Sequence, residues 1–192
     1  MIDISYIVTA CQRPDFLACC LFSLRCQTHA QFEVIVTNNG QTDAHRQASR
    51  DVLQVLGDAR FRLLEGSWRH CYYASEDAAL LASGRYLCFP SDDSYYVPFF
   101  AEKMLAAGSA ARAQIVLCEQ VYSRWEQPHY TILPVAAAVD HVDKTGFLIN
   151  RTWFAGFPDK EGGVTSDGQM IEDAVRRGAK VAKVDEVLCV HN

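Results

Sequence analysis

The strongest constraint on the fold is a repeated change of hydrophobic period along the first half of the chain. Short β-branched runs alternate with segments whose apolar residues recur at helical spacing. Ile4 to Thr9 (ISYIVT) reads as a strand, and Pro14 to Gln27 as a helix carrying Phe16, Leu17, Cys20, Leu21 and Leu24 on its apolar side. Pro14 suits the first turn of that helix, where a missing N–H costs nothing. Phe32 to Thr37 is a second strand, closed by the turn signal Asn38-Asn39-Gly40. Thr42 to Leu56 reads as a polar-faced helix and Arg60 to Leu64 as a third strand. Tyr73 to Ala82 is an Ala-rich helix stopped at Gly84, and Tyr86 to Phe89 a fourth strand.

Such alternation predicts βαβ units: a mainly parallel central sheet with helices on both faces. Right-handed crossovers bring the loops after successive strands to one edge, and ligands of such sheets sit outside the strands' carboxyl ends. Three loops leave strand ends here, TACQRP, TNNGQTD and PSDDSYY, and all are expected to line one crevice. In the third, Asp92 and Asp93 follow directly on a buried strand. Acids and Ser often cap turns, but two carboxylates delivered to a shared crevice also suit a hard divalent cation whose remaining ligands come from a phosphate.

The second half is less regular. Gln114 to Tyr122 and Lys144 to Asn150 read as strands, Tyr130 to Val139 as an apolar stretch broken by proline, and Thr165 to Arg177 as a helix closed by Gly178. Lys180 to Val190 supplies a final strand or two. No repeat or linker divides the 192 residues, so a single domain, 1–192, is expected. With 49% apolar and 21% charged residues the chain has the composition of a soluble globular protein, and its net charge of −5 argues against nucleic acid as partner. The eight cysteines lack paired CxxC spacing, and several sit among apolar residues, so a reduced, cytoplasmic protein is expected. The N-terminal segment MIDISYIVTA has no signal-peptide pattern and no run is long enough to span a bilayer; peripheral contact with a membrane is left open.

Residues Thr9 to Leu17 (TACQRPDFL), Ser23 to Asp43 (SLRCQTHAQFEVIVTNNGQTD), Ala82 to Met104 (ASGRYLCFPSDDSYYVPFFAEKM) and Thr145 to Phe157 (TGFLINRTWFAGF) occur in an order and spacing that resemble the inverting glycosyltransferases of family 2, which have the GT-A fold. Ser166-Asp167 before a helix and Glu186-Val187-Leu188 extend the likeness. It is dense over 4–105, looser over 144–192 and absent over 106–143. The resemblance implies a GT-A α/β domain whose first half, 1–105, binds the nucleotide-sugar, with 106–192 forming the acceptor-binding and catalytic half.

It further implies a metal-dependent transfer of a sugar, with inversion, from a nucleotide-sugar (a UDP-sugar foremost) to a hydroxyl of a glycan, lipid-linked or protein-linked acceptor. The family's DXD motif falls on Ser91-Asp92-Asp93: Asp93 would hold Mn²⁺ or Mg²⁺, Asp92 would lie near the ribose or diphosphate, and Ser91 replaces the first acid. Asp167, eleven residues before Gly178, falls on the catalytic base. It could equally be a helix N-cap, and either place at a helix N-terminus is expected to lower its pKa. His191 falls where some relatives have a third metal or diphosphate ligand, though a residue so near the end is expected to fray. Thr9, Cys11, Arg13 and Asn38 fall on nucleotide contacts. Cys11 stands in place of an aromatic that stacks on the base, and Asn38 in place of an Asp that binds uracil. Arg13 could approach the diphosphate or be an ordinary surface charge; Arg69 and His70 are weaker candidates.

Trp68, Tyr72, Tyr73, Tyr95, Tyr96, Trp125 and Trp153 could stack on acceptor sugars, but at least half are expected in the core. The replacements at Cys11, Asn38 and Ser91 also fit a second reading, a non-catalytic relative that binds nucleotide-sugar or glycan. Retention of Asp92, Asp93 and Asp167 together argues for catalysis. A sugar nucleotidyltransferase is set aside, because the loop TACQRPD has no glycine to cradle a phosphate.

Overall fold

The computed structural model describes residues 1–123, 129–160 and 165–192; Trp125 lies outside these. Among the described residues nine strands form one sheet, and five α-helices cover it. The first half follows the sequence pattern closely: β1 (Ile4–Ala10), α1 (Pro14–Arg25), β2 (Phe32–Asn38), α2 (Asp43–Leu56), β3 (Phe61–Glu65), α3 (Cys71–Leu80) and β4 (Tyr86–Cys88). Then come β5 (Ser94–Tyr96), α4 (Phe100–Ala111), β6 (Ile115–Ser123), β7 (Tyr130–Leu133), β8 (Phe147–Asn150), α5 (Ser166–Arg176) and β9 (Val181–His191).

The sheet order is β3-β2-β1-β4-β8-β6-β9-β5, with β7 paired to β6. β1 to β4 are parallel to one another, and so is β9 to β6, whereas β8, β5 and β7 run the other way. Every residue of β1 is buried, because helices cover both faces. Alternate side chains feed two apolar layers. Ile4, Tyr6 and Val8 pack with Leu17, Leu21 and Leu24 of α1 and with Met104 of α4; Ile7, Leu87 and Phe89 pack with Ala78 of α3 and Ile171 of α5. Cys20, Cys88, Cys118 and Cys189 are buried there as small apolar side chains.

Three expectations need correction. Gly84 does not stop α3, which ends at Leu81 in ordinary helical conformation. The chain needs glycine at 84 because a Cβ would come within 2.5 Å of the backbone nitrogen of Ser5. The segment 144–150 begins as a 3₁₀ turn, Lys144–Gly146, capped by the Asp143 side chain accepting from the Thr145 N–H at 2.9 Å, and extends only from Phe147. His191 is not frayed: it closes β9 and pairs with Ser94 of β5 and Tyr122 of β6. Gly178 does follow α5 with φ +100° and open space around it, so its role there is conformational. Among the described residues no helix is long and apolar enough to cross a membrane.

Candidate active site

The loops after β1, β2 and β4 meet as the topology requires. The Cys11 N–H donates to Asp92 Oδ2 at 3.0 Å, the Asn39 N–H donates to the Ala10 carbonyl at 2.9 Å, and Thr9 bridges to Ser91. Asp92 and Asp93 are 2% and 3% exposed, and a buried carboxylate must be paired. Arg13, in the residue preceding α1, pairs with both: Nη2 reaches Asp92 Oδ1 at 2.7 Å and Nη1 contacts Asp93 Oδ2. Its surface-charge alternative falls away. Burial pushes the Asp92 carboxyl up despite Arg13. For Asp93 burial acts the same way, but the His191 and Arg13 charges overcome it and hold the group below its ordinary value.

β5 turns straight back from the acid loop and pairs with β9, with Ser94 opposite His191. His191 is thereby set beside Asp93, Nε2 lying 3.5 Å from Oδ1, while Nδ1 meets Asp143 Oδ2 at 3.0 Å. Burial works against a charge on this ring, yet Asp143 and Asp93 raise its pKa to about 10. Asp143 in turn is largely shielded from water, which disfavours its charge, but His191 and the Thr145 N–H hold it at about 2. An imidazole that gives one N–H to a carboxylate and faces an acid with the other nitrogen has the arrangement seen around metal-bound histidines. Among the described residues no group of three His, Cys, Asp or Glu side chains could by itself hold a metal. Hard carboxylate oxygens on Asp92 and Asp93 beside His191 fit Mn²⁺ or Mg²⁺ as a partial shell that needs further oxygens from a bound phosphate.

Asp167 lies across the same cluster. It sits inside the first turn of α5 and not at its cap, which is Thr165. Oδ1 accepts from the Tyr72 hydroxyl at 2.9 Å and Oδ2 from the Lys144 backbone N–H at 2.9 Å. Contrary to expectation its pKa is not lowered. Burial, followed by the Asp143 charge, raises it to about 6, against the pull of Lys144, Tyr72 and the backbone donor. The Lys144 side chain is 8% exposed, with Nζ 5.9 Å from the centre of the Tyr72 ring, and lies in the field of Asp167, Asp143 and Asp92.

The nucleotide positions show a second pattern. Asn38 is fully buried, and its Nδ2 donates to Glu65 Oε2 at 3.0 Å and to the Arg46 carbonyl at 3.2 Å. A flipped amide would set Oδ1 against both acceptors, so the orientation is fixed and Oδ1 is left without a partner. Thr9 Oγ1 and Asp93 Oδ1 are likewise buried without a hydrogen bond. Folded proteins rarely leave such atoms unpaired. Here three of them fall on sequence-predicted contact residues along one sheet edge. The Cys11 thiol, packed against the Asn39 carbonyl at 3.6 Å, is pushed up by burial and by Asp92, so it stays protonated and is no nucleophile.

Asp143, Lys144 and Glu65 carry no sequence signal that singled them out; an acid directly before Lys-Thr-Gly in an apolar segment was the available clue. Tyr72, read only as an aromatic, turns out to hold Asp167. Tyr96 is core, Tyr95 is half exposed, Trp68 donates to Asp77 at 2.7 Å, and Trp153 packs under Arg177. His70 caps α3 and Arg69 contacts the Tyr73 hydroxyl.

Known proteins share this architecture. Residues 5–187 match the family model described as glycosyl transferase family 2. A putative glycosyltransferase of Bacillus subtilis, EpsH, is 24% identical over 115 residues, 60% of this chain and 33% of that protein. The crystal structure of Staphylococcus aureus TarS 1–349 superposes with a TM-score of 0.78 at 14% identity, covering all of this chain and 60% of that one. A mannosyltransferase from Pyrobaculum calidifontis, solved with GDP-Man and Mn²⁺, superposes with a TM-score of 0.78 at 16% identity, covering 98% of this chain and 56% of that one. The chain thus spans between one third and three fifths of the length of these relatives. With the family model matching nearly its whole length over the same loops that converge on Asp92, Asp93 and Asp167, this chain belongs to glycosyl transferase family 2.

Proposed function

We propose that the chain moves a sugar from a nucleoside-diphosphate sugar to an acceptor hydroxyl, with inversion at the anomeric carbon. The observation that carries this reading is the row of buried atoms without a hydrogen bond, Thr9 Oγ1, Asn38 Oδ1 and Asp93 Oδ1, the last facing the His191 ring at 3.5 Å, at the carboxyl edge of the sheet. A nucleotide base N–H and a phosphate oxygen would satisfy the Asn38 and Thr9 atoms, and a cation brought in with the diphosphate would satisfy Asp93 Oδ1. The S. aureus relative has been solved with UDP-GlcNAc and the Pyrobaculum one with GDP-Man, so relatives with this fold take donors of that class. Because Asn38 offers an acceptor, it suits a base that presents a ring N–H, as uracil and guanine both do.

Asp93 would hold the divalent cation, joined by His191 once its Nε2 gives up its proton, with Asp92 beside the ribose or diphosphate. The cation's chemistry is to neutralise charge on the departing diphosphate. Asp167 would serve as base. Each of its oxygens spends one lone pair on Tyr72 or Lys144 and keeps another for an acceptor hydroxyl. In the transfer, the acceptor proton passes to Asp167, the acceptor oxygen bonds to the anomeric carbon, and the carbon–phosphate oxygen bond breaks with its electron pair on the diphosphate. A pKa of about 6 leaves Asp167 ionised at neutral pH yet basic enough to take a proton. The acceptor class, whether glycan, lipid-linked or protein-linked, a peripheral membrane location and the division of labour between 1–105 and 106–192 are part of the same reading.

The test is thermal stability with UDP, GDP, CDP, dTDP or ADP, each with Mn²⁺, Mg²⁺ or EDTA. A ligand at about 100 times its Kd adds ~2.7 kcal/mol, or roughly 5–10 °C for a domain of this size. A shift with UDP or GDP that EDTA and Asp93→Asn both abolish supports the reading. No shift with any nucleotide would replace it with a non-catalytic relative.

A further inference from the structure

The two acids that suit a cation already hold one. Arg13 bridges them with both prongs of its guanidinium, and those two contacts are the hydrogen bonds its side chain makes among the described residues. The guanidinium lies directly against Asp92 Oδ1 and Asp93 Oδ2, so a metal ion that takes these oxygens must displace it. Charge leads to the same result. A divalent ion added beside Arg13 would set three positive charges against two carboxylates, with the His191 ring 3.5 Å from one of them. Yet Arg13 is not locked in. Its side chain is 38% exposed and runs on a flexible stem from the residue ahead of α1. A guanidinium fork grips phosphate oxygens as readily as carboxylates.

We propose that Arg13 is an internal counter-ion for Asp92 and Asp93, and that a divalent cation gains these acids only when a diphosphate draws Arg13 away. Metal and nucleotide then bind as a coupled pair, and Arg13 ends as a diphosphate contact. The diphosphate half of this inference rests on the donor class proposed above; the exclusion of metal by Arg13 does not.

The experiment measures bound Mn²⁺ from the free-ion electron paramagnetic resonance signal for wild type, Arg13→Gln and Arg13→Lys, first with Mn²⁺ alone and then with UDP or GDP. Without nucleotide, Arg13→Gln binds Mn²⁺ about tenfold or more tighter than wild type, the expected result of removing a competing charged pair. Arg13→Lys, which keeps the charge and loses the two-pronged grip, falls between them and stands in if the Gln variant is poorly folded by circular dichroism. Nucleotide tightens Mn²⁺ binding in wild type by more than in Arg13→Gln. The proposal is overturned if wild type and the Arg13 variants bind Mn²⁺ alike without nucleotide, whether tightly or not at all. If no nucleotide alters Mn²⁺ binding while Arg13→Gln is still the tighter binder, metal exclusion stands and the donor assignment falls.

Discussion

Replacing Asp167 with Asn separates a catalytic base from a structural acid, because the two roles predict changes of opposite sign. The side chain is 5% exposed, and both of its hydrogen bonds can survive the change. The amide oxygen accepts from the Lys144 N–H, and the amide nitrogen donates to the Tyr72 hydroxyl, which can also accept. What disappears is the charge. In the fold the carboxyl titrates at about 6, raised by burial and by Asp143; in an unfolded chain an Asp titrates near ~3.9. The folded state therefore binds the proton more tightly, so ionisation at neutral pH costs stability on the order of 2–3 kcal/mol. Asp167→Asn removes that cost. Its melting temperature should exceed wild type by roughly 4–12 °C at pH 7.5, at about 2–4 °C per kcal/mol. The gap should narrow as pH falls from ~6 towards ~4, where the wild-type carboxyl is protonated. Over the same comparison, release of nucleoside diphosphate from a donor sugar should drop by about 10²–10⁴-fold, the usual worth of a general base. Scanning calorimetry at several pH values and a diphosphate-release assay measure the two. A variant that is less stable at every pH, or one that transfers sugar at the wild-type rate, would refute the assignment of Asp167 as a strained base.

Two further changes test its surroundings. Tyr72→Phe deletes the hydroxyl that helps lower the Asp167 pKa, so the acid limb of the pH–rate profile, expected near pH 6 in wild type, should move to higher pH; an unmoved limb would show that Tyr72 does not tune the base. Asn38→Asp would place a carboxylate against Glu65 Oε2, which the amide now meets at 3.0 Å. The loss should be on the order of 2–3 kcal/mol in urea unfolding, recovered largely in Asn38→Asp/Glu65→Gln; a neutral single variant would disprove the coupling.

That last pair explains a departure from the family pattern. In the resemblance, Asn38 is an anomaly where an Asp is expected. In the sheet, Asn38 and Glu65 are register partners at the ends of β2 and β3, and a buried carboxylate at 38 would repel the half-exposed carboxylate of Glu65 beside it. The neutral amide donates to Glu65 and keeps Oδ1 as an acceptor with no hydrogen bond. The same logic covers the missed residues. Asp143 and Lys144 lie in a segment read as a plain strand, and their burial beside His191 and Asp167 depends on a 3₁₀ turn seated between strands distant in sequence.

The sequence by itself determined the βαβ half of the fold, because hydrophobic period and turn residues are local signals, and parallel crossovers leave few ways to order β1 to β4. It also placed Asp92 and Asp93 at the carboxyl edge of the sheet, since that follows from which end of a strand they leave. The tertiary structure decided the rest. Pairing of β5 with β9 put His191 against Asp93, and packing of α5 beneath the 144–146 turn buried Asp167 beside Asp143. Those contacts fix charge states, and a charge state depends on desolvation and neighbours many residues away in the chain, which no local pattern of residues encodes.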